Sequence, residues 1–145
     1  MTTGGGAQRP NSLFVEITRP DCEDLLATHN FGRVAWNAAD GPQVLPVTYQ
    51  VYNGEIVFRT SPFGALSELS ERQPVAFEID AVDSEAERGW SVVVRGQSRR
   101  VTEPHHLVKL WTMDGIVPWA AGTRNAFIAI TPRTVSGRRV RAPHS

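Results

Sequence analysis

The chain has 145 residues, enough for one domain with a proper core. Fifteen Lys and Arg against fifteen Asp and Glu leave no formal charge, so the overall balance gives no pull toward nucleic acid. No apolar run approaches a membrane span and no signal peptide is visible, while a single cysteine, Cys22, excludes an internal disulfide framework; a reducing cytoplasm is the expected location.

Residues 1–12 are Gly-rich and polar and read as a disordered tail, residues 142–145 as a second tail, and 13–141 as one domain. Thr18-Arg19-Pro20-Asp21 opens a helix with a pattern like a capping box, Asp standing where Glu or Gln is usual. The helix runs to about His29 with Leu25 and Leu26 on its apolar side, and Cys22 within it reads as an inert thiol. Asn30-Phe31-Gly32 ends it. Arg33 to Asn37 is the first expected strand, turned by Asp40-Gly41-Pro42 into the second.

The most informative stretch follows. Leu45, Val47, Tyr49 and Val51 alternate with Val44, Pro46, Thr48 and Gln50, the period of a strand. Asn53-Gly54 is a strong two-residue hairpin signal, because a type I′ turn needs positive φ at both central positions. Glu55 to Thr60 returns with Ile56 and Phe58 on one face. Thr60-Ser61-Pro62 reads as a hydroxyl cap and proline opening a helix that carries Leu66 and Leu69 and ends near Gln73-Pro74. A helix start of this kind offers free N–H groups to an anion, although most such starts only cap helices.

Val75 to Ile79 is expected to be a strand and Asp80 to Gly89 an acidic connection. Trp90 to Val101 is the longest strand, with Gly96 marking a bulge or bend. A short helix covers roughly His105 to Met113, a loop holds Trp119 and Arg124, and a strand spans Phe127 to Ile130. Thr131-Pro132 breaks that strand, and Val135 to Val140 forms a last short one. About six short strands in antiparallel hairpins with three helices at the joins give a mainly β fold, a closed or split β-barrel. A doubly wound α/β fold is not expected, because the second and third strands are joined by a turn too short for a crossover.

Dinucleotide, Walker-loop and nucleophile-elbow motifs are absent. His29, His105, His106 and His144 lack ligand spacing, so no metal is expected and His105-His106 reads as a solvated face. Glu68 and Glu71 are expected to pair with Arg72 or solvent. Arg99-Arg100 and Arg138-Arg139-Arg141 read as solvated strand edges.

From about Thr18 to Arg139 the chain resembles the pyridoxamine 5′-phosphate oxidase-like flavoproteins, most of all their small actinobacterial and nitroimidazole-resistance-type branch. Four blocks carry the resemblance: Leu25-Leu26-Ala27 through Phe31-Gly32-Arg33-Val34-Ala35; Val44-Leu45-Pro46-Val47 with Ile56-Val57-Phe58-Arg59-Thr60; Gly89-Trp90 through Arg95-Gly96; and Pro118-Trp119-Ala120 with Gly137-Arg138-Arg139. The resemblance implies a six-stranded split barrel of FMN-binding type, a homodimer with two FMN sites at the subunit interface, and a small-molecule substrate, with no nucleic-acid or membrane partner. It implies an isoalloxazine ring along Leu45, Pro46, Val47, Thr48 and Tyr49, and a phosphate near Arg59, Thr60 and Ser61, with Ala65 and Leu66 following. Trp119 and Arg124 are the residues proposed to come from the partner subunit.

The sequence departs from the family at one point. Many relatives carry a lysine about where Ala65 stands, whereas Ser61 to Leu69 contains no Lys or Arg. Losing a charge-assisted phosphate contact costs about 1.5–3 kcal/mol, which Arg59, Arg33 or Arg124 would have to offset. The expected function is a flavin-dependent oxidoreductase with no side chain assigned as catalytic acid or base. The alternatives are a reductase using the deazaflavin coenzyme F-420 and a non-catalytic flavin- or haem-binding protein. Homodimerisation is expected because Trp90, Val92, Val94 and the Trp119 loop supply more apolar area than one small barrel needs.

Overall fold

The computed structural model describes residues 13–61, 63–112 and 126–141. Eight strands are seen among these residues: β1 (Leu13–Ile17), β2 (Phe31–Ala38), β3 (Gly41–Thr48), β4 (Gln50–Tyr52), β5 (Glu55–Thr60), β6 (Pro74–Asp83), β7 (Arg88–Arg100) and β8 (Ala126–Arg141). Helix α1 (Arg19–Thr28) follows β1, a short 3-10 helix (Ala65–Ser70) follows β5, and α2 (Pro104–Trp111) follows β7. The sheet runs β3-β2-β6-β7-β8-β5-β4, with β1 also on β8, and the pairings are antiparallel.

β3 and β4 stand at opposite ends of that path, yet only Tyr49 separates them in the chain. The sheet therefore curls until its two ends meet at one residue, a curled antiparallel half-barrel of the split-barrel kind. Tyr49 is suited to the junction. Its N–H donates to the Asn30 carbonyl at 3.0 Å and its hydroxyl to the Leu26 carbonyl at 2.8 Å. Its ring, wholly buried, stands edge-on to Phe77 with centroids 4.8 Å apart. Helix α1 is anchored at the other end by the Thr18 hydroxyl, which accepts from the Asp21 amide at 3.3 Å, and buries Cys22 and Leu26.

The alternating residues of the central stretch point into the half-barrel, where Val47 and Tyr49 join Val34, Trp36, Ile56, Phe58, Phe77, Val92 and Val94 in one cluster. Val57, Val101, Leu110, Phe127 and Ala129 form a second cluster beneath α2. Asn53 and Gly54 form the expected turn between β4 and β5, with φ of 55° and 79°.

Several expectations need correction. β1 was not foreseen as a strand; it exists through its register with β8, from Leu13 opposite Arg141 to Ile17 opposite Gly137. The chain does not break at Thr131-Pro132, because β8 runs unbroken for 16 residues. The register slips between Arg95 and Gly96, leaving Arg133 as the extra residue of a bulge next to Pro132, which stands opposite Gly96. Gly96 is needed there: a Cβ would lie 2.0 Å from the Thr131 carbonyl oxygen. The acidic connection from Asp80 to Gly89 is mostly strand, with β6 reaching Asp83 and β7 starting at Arg88.

Candidate functional site

β3 is an end strand of the sheet, paired with β2 from Phe31 opposite Thr48 to Ala38 opposite Gly41. Pro42 and Pro46 stand four residues apart and so present the same backbone edge. Two missing N–H groups on the β2 side would remove two ladder bonds, so that edge is the outward one. Val47 is buried, Leu45 and Thr48 are half-buried, and Pro46 is exposed. The segment Leu45–Thr48 can therefore offer a backbone edge to a flat ligand while its apolar side chains stay in the core.

At the end of β5 the strand's alternation separates the expected phosphate residues. Thr60 lies on the same face as Ile56 and Phe58, toward the barrel interior, and is 4% exposed. Its hydroxyl donates to the Ser61 carbonyl at 3.3 Å. Arg59 lies on the opposite face with Val57, its guanidinium 4.4 Å from the Trp111 ring centre and 5.6 Å from that of Phe127. The two side chains cannot grip one group together.

The helix start expected at Thr60-Ser61-Pro62 is likewise corrected. The following helix is a six-residue 3-10 turn with Gly64 at its N-cap and no side-chain cap. Ser61 instead accepts from the Phe63 amide at 3.1 Å, which turns the chain before the helix begins. A short 3-10 helix has neither the length nor the dipole of the anion site envisaged. Ala65 is exposed and Leu66 packs against the core. Trp119 and Arg124 lie outside the described residues.

Other charged groups are engaged elsewhere. Arg33 pairs with Glu78 at 3.0 Å and Asp80 at 3.4 Å, so it is not a spare phosphate ligand. Burial first, then the adjoining Asp80 carboxyl, push Glu78 up to about 7 against the pull of Arg33. Arg99 is no solvated edge: it bonds Glu55 at 2.7 Å and Glu103 at 3.1 Å. Glu68 accepts from the Trp36 indole at 3.2 Å rather than pairing with Arg72. His106 is half-buried against Tyr52, ring centres 5.3 Å apart, rather than on a solvated face. Cys22 is buried with its thiol pushed up by burial, as fits an inert residue. No cluster of three metal-ligating side chains occurs among the described residues, and no helix there is long and apolar enough to cross a membrane.

Sequence reasoning missed Trp111, which holds Arg59. Its position in α2 gave no hint that α2 folds back over β5.

The family model for pyridoxamine 5′-phosphate oxidase matches residues 18–139. The chain belongs to the pyridoxamine 5′-phosphate oxidase-like family. The uncharacterised protein Rv0080 of Mycobacterium tuberculosis is 30% identical, over 97% of this chain and 95% of its own. A FAD-binding protein of Mycobacterium smegmatis has a TM-score of 0.74 at 28% identity, covering 88% of this chain and 98% of that one. A Corynebacterium diphtheriae protein of unknown function has a TM-score of 0.71 at 26% identity, covering 86% and 96%. The family's actinobacterial members are thus well represented among its likenesses.

Proposed function

We propose that this family member is a flavin-dependent oxidoreductase that binds FMN as a homodimer. The observation that carries the reading is the end strand β3, whose Leu45–Thr48 segment presents an edge marked by Pro42 and Pro46 in a fold matched across residues 18–139. A bound flavin supplies hydride and electron transfer; the protein supplies orientation and electrostatics. In this reading the β3 backbone lies beside the ring, and Arg59, held over Trp111 and Phe127, provides the cation that Ser61 to Leu69 lacks. Thr60 acts only through its backbone, because its side chain faces inward.

The assembly rests on a different surface from the one first expected. Val92 and Val94 are wholly buried in the subunit's own core. Phe14, Phe31 and Val44 are 56%, 39% and 60% exposed, and their places in the strand alternation put them on the outer side of the sheet. A second copy is the covering partner we propose.

FAD is a second reading, favoured by the Mycobacterium smegmatis FAD-binding protein. Titrating the purified protein with FMN, FAD and coenzyme F-420 ranks the three. Turnover of a bound flavin with NADPH or a chemical reductant separates an oxidoreductase from a sequestering protein. Binding without turnover contradicts the enzymatic reading, and tightest binding of F-420 contradicts the flavin one.

A further inference from the structure

We infer that a groove at the tip of the β6–β7 hairpin is a second ligand site, suited to an anion with an aromatic or apolar body. The groove encloses about 540 Å³ between the β6 and β7 ends, the last residues of β8, and β1. That volume is within the range of about 300–1,000 Å³ usual for small-molecule sites. It shares no lining residue with Leu45–Thr48 or with the end of β5.

Its chemistry is lopsided. Arg88, Arg139 and Arg141 line it, with Asp83 as the one carboxylate among the described lining residues. The register sets Arg88 between Arg141 on one side and Asp83 on the other, and Arg139 opposite Trp90. Like charges facing across a ladder repel, yet none of the three arginines forms an ion pair with a described residue. Asp83 is turned to its own hairpin, accepting from the Ala86 amide at 3.0 Å. The flanking segments 1–12 and 142–145 contain no Asp or Glu, so no carboxylate side chain from either neutralises the cluster.

The apolar component is equally defined. Trp90 is half-buried in the groove, its ring edge-on to His29 at 5.0 Å, which fixes the indole plane. Val15, opposite Arg139 in the ladder, and Ala81, opposite Trp90, stand on the same face as the arginines, and Val15 is 55% exposed. Guanidinium forks beside an indole and an uncovered valine fit an aryl carboxylate or an aryl phosphate monoester: charge-assisted bidentate bonds at one end, ring packing at the other.

The test is calorimetric titration of the full chain with 1-naphthyl phosphate, 1-naphthoate and neutral 1-naphthol. At least one anion should bind once per chain, and 1-naphthol at least about tenfold more weakly, the scale set by losing a charge-assisted contact. Which anion binds more tightly separates phosphate from carboxylate ligands. The double variant Arg88→Ser, Arg141→Ser should lose at least about tenfold in affinity with a thermal midpoint no lower than that of the parent chain; should it not fold, Arg88→Gln alone should still weaken binding. Saturation with FMN beforehand should leave the titration unchanged. Absence of binding at millimolar ligand, equal binding of 1-naphthol, wild-type affinity in the variants, or displacement of the anion by FMN would each overturn the assignment.

Discussion

Tyr49 joins the two ends of the sheet through a ring, a hydroxyl and an amide. Leu26, whose carbonyl takes the hydroxyl, is among the last four residues of α1, where carbonyls lack helical partners. Tyr49→Phe should leave that carbonyl unsatisfied in a buried place and cost about 1–2 kcal/mol, measured by urea unfolding. Glu78 should make stability depend on pH. Its folded value, about 7, lies above the ordinary 4.5, so the folded state holds the proton more tightly than the unfolded chain. The stabilisation is complete below pH 4.5 and lost as pH rises through about 7; Glu78→Gln should flatten the unfolding midpoint across that window. Ala65→Lys, at an exposed position, should tighten FMN about tenfold without changing the fold, read by fluorescence titration. At this scale the sequence was legible wherever backbone chemistry is local. Asn53-Gly54 needed no tertiary information. The opposite faces of Arg59 and Thr60 also followed from alternation, but the hydroxyl-proline pattern suggested a cap and drew attention from it.

Among the elements, β5, β7, β8 and the start of α2 are clasped by one ionic group. Arg99 on β7 bonds Glu55 on β5 and Glu103 before α2, while Thr131 on β8 donates to Glu55 at 2.7 Å. Burial alone would raise the Glu55 carboxyl; the Arg99 and Thr131 bonds outweigh it and hold it below its ordinary value. Arg99→Ala strands Glu55 and should cost about 3 kcal/mol in chemical unfolding, whereas Arg100→Ala, at an exposed position, should cost little. Strand pairs joined by tight turns could be read from the chain, and Gly96 announced the bulge. Long-range choices could not. Nothing local says that β3 leaves β2 at Tyr49 while β4 takes up β5, or that Pro132 stands next to a bulge, opposite Gly96. β1 is short, and its existence depends on a partner more than a hundred residues away.

For the whole molecule, family and barrel type were legible because four sequence blocks fall in the right order over most of the chain. The cofactor's grip was less so, since it depends on which face each residue of β5 presents and on a fold of α2 over it. The flavin site proposed above needs two copies of this chain to bind flavin together. Sedimentation velocity of the protein mixed with FMN, recorded at both protein and flavin wavelengths, tests it most directly. Flavin should cosediment with a species of twice the chain's mass; flavin remaining at the meniscus, or a protein boundary at the mass of one chain, would contradict a shared site.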